Sequence, residues 1–307
     1  MNEVALLKQV LPYIRHHKKS TMVVKLGGEI AANADALRSL AEDVSLLTHV
    51  GIRIVLVHGG GPQATEMQKR LGLEPVMVGG RRVTDEATLD IAKMIFGGKI
   101  NTDILSALRA QGVGAVGLSG VDANLIHATR RPPTEFTDPA TGTRTLVDYG
   151  HVGDIQSVDT ALLTLLLDAK YVPVLASLAS DERGNILNIN ADTVASVIAK
   201  DLQAGKLVIL TGVPGLLRVK DDPTSLISRI TTEEAKAAMK DGSVAGGMLP
   251  KLKALVDAVE HGVGRGHILS GTTPGAILLE LFTSKGSGTL IAEPHDVSEI
   301  VDGGPRT

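Results

Sequence analysis

Short apolar segments alternate with helical periodicity along almost the whole of this 307-residue chain. Consecutive parallel strands buried on both faces are joined by helical crossovers. The alternation therefore predicts an α/β fold with an open, mostly parallel central sheet and helices on both faces. The predicted strands are 22–26, 52–57, 115–118, 172–176, 207–210, 267–269 and 289–291. The predicted helices are 35–48, 62–71, 85–111, 159–169, 191–202, 232–240, 249–261 and 274–282.

Composition excludes several classes of protein. The net charge is −3 and no block of like charges occurs, so a nucleic-acid partner is not expected. Without cysteine there is neither a disulfide framework nor thiolate chemistry. The first residues lack a signal-peptide pattern, and no apolar stretch is long enough to span a membrane. We therefore expect a soluble, cytoplasmic protein with no membrane partner.

Two features interrupt the regular alternation. Residues 124–154 are rich in arginine, proline and glycine between two β-like stretches, which predicts a hairpin or flap over the sheet edge. Near 203–205 a predicted helix ends and a new strand begins. This point divides the chain into a segment 21–203 and a segment 204–307, preceded by an N-terminal segment 1–20.

Three consecutive glycines, Gly59 to Gly61, stand between the strand predicted at 52–57 and the helix predicted at 62–71. One interpretation is a tight turn with close strand–helix packing, although each glycine has an entropic cost and such a turn needs fewer of them. The other is that a ligand approaches this backbone closely. A helix N-terminus presents unpaired N–H groups and a partial positive charge, so that ligand would be an anion.

Two lysines occupy positions that local structure does not favour. Lys25 ends an apolar strand just before Gly27 and Gly28, where a charge is costly unless it has a partner or reaches solvent. Lys251 follows Pro250, and proline is tolerated in the first turn of a helix or as a kink. Lys251 therefore lies near a helix N-terminus, where a cation opposes the helix dipole. Residues that break local rules tend to mark function, and a shared anion would be the missing partner.

The segment LNINADTVA, residues 187–195, begins another predicted helix. Asn190 can cap this helix, and Asp192 in its first turn suits the positive end of the helix dipole. The helix dipole alone is enough to explain Asp192. Capping is a weaker explanation for Asn188, two residues before the cap.

Five motifs follow one another along the chain: KLGG at 25–28, HGGGPQ at 58–63, GGRRVTD at 79–85, LNINADTVA at 187–195 and GGMLPKL at 246–252. Together they resemble the amino acid kinase family, and within it the members that phosphorylate N-acetyl-L-glutamate. The resemblance spans roughly residues 23–291. It implies an amino-acid-binding lobe at 21–203 and an ATP-binding lobe at 204–307.

The resemblance implies ATP-dependent phosphorylation of the γ-carboxylate of N-acetyl-L-glutamate, an early step of arginine biosynthesis. Lys25 and Lys251 would stabilise the transferring phosphoryl group from two sides, and Asp192 would orient both lysines. The implied amino-acid-binding residues are Gly60, Gly61, Arg82 and Asn188. The implied nucleotide-binding residues are Gly27, Gly28, Thr211, Gly215, Leu216, Gly247 and Met248.

The implied cofactors are ATP and Mg²⁺. Magnesium bridges phosphates while it keeps several waters, so no direct protein ligand is expected. A γ-carboxylate with an ordinary pKa of about 4.3 is ionised at neutral pH, and phosphoryl transfer to it requires no general base.

Two positions depart from the family pattern. The family commonly has leucine where this chain has Arg81, so Arg81 competes with Arg82 for the substrate α-carboxylate; the spacing to VTD favours Arg82. The family usually has Asp or Asn where Gly212 stands, which puts nucleotide contacts at that position in doubt. The tail after Glu293 matches none of the motifs.

The N-terminal segment predicts an amphipathic helix. Leu7, Val10, Leu11 and Ile14 share one face, and Pro12 is expected to kink the helix. A short helix ahead of a domain needs a partner surface, either on its own domain or on another subunit.

This helix resembles the N-terminal extension of arginine-inhibited family members, in which it links dimers into a ring. The resemblance implies a homohexamer, a trimer of dimers, that L-arginine inhibits, with a site between the helix and the segment 277–289. Glu280 would bind the guanidinium. The implied arginine-site residues are His267, Glu280, Gly286 and Gly288. A PII-type regulatory protein is a further partner compatible with this resemblance.

Two other functions stay open. One is another carboxylate kinase of the same fold, acting on glutamate or on a carrier-linked aminoadipate; the GGRRVTD and LNINAD motifs favour N-acetyl-L-glutamate. The other is a nonenzymatic arginine-sensing subunit. Retention of both Lys25 and Lys251 argues against it.

Overall fold

A computed structural model describes residues 3–138, 141–219, 222–283 and 285–294. The strands are β1 (Thr21–Leu26), β2 (Arg53–His58), β3 (Met77–Val78), β4 (Arg81–Arg82), β5 (Ala115–Ser119), β6 (Ile126–Arg130), β7 (Thr134–Thr137), β8 (Arg144–Val147), β9 (Gly153–Val158), β10 (Val172–Ala176), β11 (Leu178–Ser180), β12 (Ile186–Asn188), β13 (Lys206–Thr211), β14 (Arg229–Thr231), β15 (Arg265–Ser270) and β16 (Thr289–Ala292). The α-helices are α1 (Glu3–His17), α2 (Gly28–Ala32), α3 (Ala34–His49), α4 (Gly61–Arg70), α5 (Glu86–Ala92), α6 (Asn101–Ala110), α7 (Ala161–Asp168), α8 (Ala191–Asp201), α9 (Thr232–Lys240), α10 (Met248–Glu260) and α11 (Ala276–Phe282).

In the described part of the chain, eight strands form the central sheet in the order β14-β16-β15-β13-β1-β2-β10-β5. The strands from β15 to β5 are mutually parallel, whereas β16 runs antiparallel to β15, and β14 pairs parallel with β16. All seven strands predicted from the sequence belong to this sheet. The α/β fold with an open, mostly parallel sheet is confirmed.

Helices cover both faces of the sheet. Successive residues of a strand point to opposite faces, so Val24 of β1 packs in the core beneath α3 and α6, and Val23 packs beneath α8 and α10. Each predicted helix is present, with ends shifted by a few residues. The stretch predicted as one helix at 85–111 consists of α5, a π-helix (Lys93–Ile100) and α6 without a break.

A smaller sheet, ordered β12-β11-β6-β9, adjoins the central sheet, and β7 pairs with β8 as an antiparallel hairpin. The hairpin predicted within 124–154 is therefore present. A Cβ on Gly79 would lie 2.5 Å from a ring carbon of Phe136 in β7, so the hairpin packs directly against the segment that leads to Arg82.

Helix α1 packs against α11 of the same chain, and it continues through Pro12 to His17. Tyr13 and Ile14 pack on the core, whereas Leu11 remains 42% exposed. The helix therefore packs on its own domain through one face, and the exposed Leu11 leaves an apolar side chain that could contact another subunit. Leu7 is one of the side chains whose placement is not described. None of the described helices is long and apolar enough to cross a membrane.

Candidate active site

The turns that follow β1, β2 and β13 lie together at the carboxyl edge of the sheet. In the sheet register, Leu26 of β1 lies between His58 of β2 and Leu210 of β13. The glycine turns after β1 and β2 and the turn after Thr211 therefore lie side by side. Ligands of open α/β sheets bind at this edge.

A buried ion-paired network of three residues lies at this edge. Lys25 Nζ forms an ion pair with one carboxylate oxygen of Asp192 at 2.8 Å, and Lys251 Nζ donates to the other oxygen at 3.1 Å. Lys25 and Asp192 are only 6% and 4% exposed, whereas the Lys251 side chain is 19% exposed. Lys25 lies within β1 and does not reach solvent as a strand-end lysine would.

The network carries one net positive charge. Burial lowers the pKa of Lys25, while the neighbouring Asp192 carboxylate opposes this change. Burial by itself would raise the pKa of Asp192, but the two ammonium groups outweigh it and hold that pKa below its ordinary value. Asp192 is therefore ionised at neutral pH. One buried and one partly exposed cation on a single carboxylate are suited to bind a further anion.

Helix ends position Asp192 and Lys251. Asn190 caps α8 by accepting from the backbone N–H groups of Asp192 at 2.8 Å and Thr193 at 3.1 Å, which fixes the first turn that carries Asp192. Helix α10 begins at Met248 after Gly247 and has no side-chain cap. Pro250 has no N–H, and the N–H of Leu249 donates to the carbonyl of Gly246 at 3.3 Å, so among the first three residues of α10 the N–H of Met248 is the one left for an anion beside Lys251.

The two glycine turns pack against each other. Gln63 Nε2 donates to the carbonyl of Gly28 at 2.6 Å, and a Cβ on Gly28 would lie 2.6 Å from Pro62. A Cβ on Gly60 would lie 2.4 Å from Ile100 of the π-helix. Gly61, by contrast, has nothing within 4 Å of its Cβ position. Close packing explains Gly28 and Gly60, and the open space at Gly61 leaves room for a ligand.

Arg81 and Arg82 differ in environment. Arg82 donates to the carbonyl of Gly61 at 3.0 Å and to the side chains of Thr65 and Gln68, all in α4. Desolvation lowers the pKa of the Arg82 guanidinium. Arg81 is exposed. The structure therefore brings Arg82, and not Arg81, to the glycine turn.

Asn188 lies at the end of β12, next to the segment that carries Arg82. Its Nδ2 donates to Thr84 Oγ1 at 3.2 Å, and its backbone N–H donates to the carbonyl of His151 at 2.8 Å. Asn188 thus links β12, the VTD motif and the end of the flap region.

The remaining predicted nucleotide-binding residues surround the turn after β13. Thr211 Oγ1 donates to the carbonyl of Val213 at 2.8 Å, and the N–H of Leu216 donates to Thr289 Oγ1 at 2.8 Å. Gly215 precedes Leu216 in the same loop and packs closely on Thr289. Gly27 donates to the carbonyl of Leu210 at 3.2 Å, which joins this loop to the β1 turn.

Sequence reasoning missed Glu29 at this turn. The Glu29 carboxylate accepts from the N–H of Gly212 at 2.9 Å, across the gap between the two loops. Gly212, where the family usually has Asp or Asn, therefore lies next to the carboxylate of Glu29 from the turn after β1. The only sequence signal was an acid directly after Gly27 and Gly28.

The predicted arginine-site residues also lie together. His267 Nδ1 lies 3.0 Å from Glu280 Oε1, and the backbone N–H groups of Ser287 and Gly288 donate to the other carboxylate oxygen at 2.6 Å and 3.2 Å. Gly286 belongs to the same turn and donates to Thr283 at 3.2 Å. Both His267 and Glu280 are buried.

A cavity of about 240 Å³ lies nearby, between the end of α1 and the starts of β13 and β15. Lys206 and His17 both line it. Burial, with the neighbouring Arg265, lowers the pKa of Lys206 to about 7, while Glu280 opposes this change. The cavity therefore adjoins the Glu280 cluster.

Comparison with known proteins identifies the family. The model of the amino acid kinase family matches residues 20–270. The chain belongs to the amino acid kinase family. Among its relatives, the acetylglutamate kinase of Symbiobacterium thermophilum is 46% identical over 293 residues, which cover 95% of this chain and 98% of that protein.

Two solved structures resemble this amino acid kinase closely. An N-acetylglutamate synthase from Neisseria gonorrhoeae, complexed with coenzyme A and N-acetyl-glutamate, is 31% identical with a TM-score of 0.80. The match covers 95% of this chain and 64% of that one, so the synthase is substantially longer. A structure of N-acetylglutamate synthase from Neisseria gonorrhoeae complexed with coenzyme A and L-arginine is 28% identical with a TM-score of 0.79, over 98% of this chain and 70% of that one.

Family membership implies that this amino acid kinase uses ATP. Among the described residues, no group of three or more Asp, Glu or His side chains could hold a metal ion. Both oxygens of Asp192 face lysines. The site therefore offers cations and N–H groups to phosphates, and any metal there would take its ligands mainly from phosphates and water.

Proposed function

We propose that this chain catalyses the ATP-dependent phosphorylation of the γ-carboxylate of N-acetyl-L-glutamate, an early step of arginine biosynthesis. The observation that carries the proposal is the buried Lys25–Asp192–Lys251 network at the carboxyl edge of the sheet. The identity of 46% over nearly the whole chain to an acetylglutamate kinase supports the choice of acceptor.

Phosphoryl transfer requires positioning of two anions and neutralisation of the charge between them. Lys25 and Lys251 supply two cations for the equatorial oxygens of the transferring group. Asp192 holds both lysines in place, and its charge opposes the lowering of the Lys25 pKa by burial. The backbone N–H groups of Gly60 and Gly61 face the attacking carboxylate. The acceptor is already ionised, so none of these residues acts as a general base.

Arg82 binds the substrate α-carboxylate. Its guanidinium has five N–H donors, and the three contacts to α4 hold it at the glycine turn while leaving donors for a ligand. Asn188, which donates to Thr84 of the VTD motif, also contacts the amino acid.

The nucleotide binds across the loops that follow β1 and β13 and at the start of α10. Gly27, Gly28, Thr211, Gly215 and Leu216 form the two loops, and Gly247 and Met248 provide the helix end. Magnesium would be held by the nucleotide phosphates and water, and it would neutralise charge on the phosphates. In this arrangement residues 21–203 form the amino-acid lobe and residues 204–307 the nucleotide lobe.

A substrate panel tests the proposal. ADP formation is measured by a coupled assay with N-acetyl-L-glutamate, glutamate, aspartate and UMP as acceptors. We expect turnover with N-acetyl-L-glutamate at least about a hundredfold above the others, because a binding site built to pair polar groups discriminates strongly against ligands that leave them unpaired. Preference for glutamate would instead assign the chain to another carboxylate kinase.

We expect Arg82→Leu to raise the Michaelis constant for N-acetyl-L-glutamate by about tenfold to a hundredfold with a smaller change in kcat. The physical reason is the loss of a bidentate charge-assisted contact worth about 1.5–3 kcal/mol. Initial-rate kinetics with both substrates measure the effect. Arg81→Leu is the matched control, because Arg81 is adjacent but exposed. A larger effect at Arg81 would reverse the assignment of the two residues.

We also propose that L-arginine inhibits the enzyme at the Glu280 cluster. Glu280 and His267 are buried, Lys206 of the cavity wall interacts electrostatically with Glu280, and His16 and His17 of α1 line the cavity. The arginine complex of the Neisseria gonorrhoeae structure supports a ligand of this kind on the same fold. The assembly would be a homohexamer, a trimer of dimers joined through α1, with a PII-type protein as a further regulator.

Deletion of residues 1–19 should yield active dimers that no longer respond cooperatively to arginine. Helix α1 forms one side of the cavity, and its exposed Leu11 is available to a second subunit. Sedimentation velocity measures the assembly, and initial rates over an arginine titration measure the response. A truncated protein that still sediments as a hexamer would exclude α1 as the link between dimers.

A further inference from the structure

His58, the last residue of β2, is completely buried directly before the glycine turn. Its ring nitrogens have different partners. Nδ1 lies 3.0 Å from the carbonyl oxygen of Gly59, and Nε2 lies 3.2 Å from Nδ2 of Asn101. The proposed reaction does not use this histidine, so its burial beside the turn requires another explanation.

The hydrogen bonds of Asn101 determine which ring nitrogen carries the proton. Asn101 Nδ2 also donates to the carbonyl of Val174 at 3.0 Å, and a carbonyl can only accept, so the amide nitrogen must face this way. The nitrogen cannot accept, and it lies closer to Nε2 of His58, at 3.2 Å, than to the carbonyl of Leu118, at 3.5 Å, so its second N–H donates to Nε2. Burial lowers the pKa of His58 to about 4, and the ring is neutral at neutral pH. Its single proton lies on Nδ1 and is donated to the Gly59 carbonyl.

This contact orients the peptide between Gly59 and Gly60. In a trans peptide the C=O and the following N–H point in opposite directions. A Gly59 carbonyl held toward the buried ring therefore turns the Gly60 N–H away from it. Within the described part of the chain, no protein acceptor takes the Gly60 N–H.

The π-helix (Lys93–Ile100) holds the other side of the turn. A Cβ on Gly60 would lie 2.6 Å from Phe96 and 2.4 Å from Ile100, and Asn101 follows directly on Ile100. One segment therefore supplies both the wall against Gly60 and the donor to His58. Such π-segments are frequent at functional sites.

We propose that His58 and Asn101 are positioning residues that orient the Gly60 N–H toward the acceptor carboxylate and the transferring phosphoryl group. This inference rests on the proposed function. His58 touches neither substrate and acts only through the Gly59–Gly60 peptide. Removing its Nδ1 donor should therefore lower kcat more than it changes the Michaelis constants.

A matched pair of substitutions separates the donor from the ring. In His58→Asn the side-chain amide nitrogen can occupy the Nδ1 position, whereas in His58→Gln the amide reaches the Nε2 position and the Gly59 carbonyl loses its donor. We expect kcat of His58→Gln to fall by about tenfold to a hundredfold, as for a misplaced oxyanion donor. His58→Asn should recover at least about tenfold of that loss. Thermal unfolding of both variants shows whether a loss of kcat comes from a loss of folded protein.

A measurement on the unmodified protein covers the case in which a variant does not fold. Two-bond ¹H–¹⁵N correlation spectra report the tautomer of each histidine, and the signal lost in His58→Asn assigns His58. We expect a neutral ring protonated at Nδ1. Protonation at Nε2, or equal kcat values for folded His58→Asn and His58→Gln, would overturn the proposal. Absence of turnover by the unmodified protein with N-acetyl-L-glutamate would instead reject the proposed function. The tautomer of His58 would still show whether its Nδ1 donates to the Gly59 carbonyl.

Discussion

Lys251→Ala is expected to lower kcat by about a hundredfold or more while it changes the Michaelis constants far less. Lys251 lies in the first turn of α10, where its ammonium opposes the helix dipole and faces Asp192 at 3.1 Å. With its side chain 19% exposed, it is the more accessible of the two lysines in the network. A cation placed in this way gains most when negative charge develops on the transferring group.

Lys253→Ala is the matched control for Lys251→Ala. Lys253 lies on the same helix two residues later, and it is exposed. The Lys253→Ala substitution removes the same charge and the same number of side-chain atoms as Lys251→Ala, but at a position outside the network. We expect its kcat to remain within about twofold of the unmodified protein, because exposed charges act weakly through solvent. Near-normal turnover by Lys251→Ala would remove that residue from the mechanism.

Local rules were sufficient to predict most of the central sheet and to single out the two lysines. Apolar runs separated by helical periodicity located seven of its eight described strands, because a strand buried on both faces needs continuous apolar sequence; the three-residue edge strand β14 was missed. Lys25 and Lys251 were recognisable because each is unfavourable in its local setting. No local pattern places a carboxylate between them; the family resemblance implied it, and the structure gives the two contacts of Asp192.

Asp192 illustrates what local patterns alone could not predict. Its position in the first turn of α8 is fully explained by the helix dipole, so only the family resemblance implied its second role between the lysines. The contact from Glu29 to Gly212 joins residues far apart in the chain. The same holds for Asn101 and His58. Such pairs depend on how the crossovers bring strand ends together, and no local pattern encodes them.

The π-helix was missed for a different reason. The apolar periodicity of 85–111 fits one continuous helix, and α5, the π-helix (Lys93–Ile100) and α6 do run on without a break. Gly97 and Gly98 lower helix propensity there, but a pair of glycines also fits an ordinary kink. Packing of Phe96 and Ile100 against the Gly60 turn is the tertiary contact that accompanies the wider helix.

Asp192→Asn is expected to lower both stability and activity. The substitution leaves the buried Lys25 and the partly exposed Lys251 without a counter-charge, and breaking a buried ion pair in this way costs about 3–5 kcal/mol in the free energy of unfolding. The Asp192 carboxylate also raises the pKa of Lys25 against the effect of burial. Without it, Lys25 loses its proton more readily, and kcat should fall by about a hundredfold or more.

Asp257→Asn is the control for the loss of stability. Asp257 joins the same two helices, since it accepts from Lys200 at 2.7 Å between α10 and α8, but its side chain is 42% exposed. A partly exposed pair of this kind is worth about 0–1 kcal/mol. Urea unfolding of both variants compares the two sites. A loss at Asp192 no larger than the loss at Asp257 would show that the buried carboxylate does not hold the network together.

The pH dependence of this loss gives a second test. The pKa of Asp192 in the folded protein lies below its ordinary value, so its contribution to stability is complete above the ordinary carboxylate pKa of about 4. That contribution disappears as the pH falls through the folded pKa. The difference in unfolding free energy between the unmodified protein and Asp192→Asn should therefore be constant near neutral pH and shrink in acid.

Lys25→Met in the Asp192→Asn background should restore part of the stability, because it removes one unpaired buried charge. Strict additivity of the two substitutions would mean that Lys25 and Asp192 do not interact.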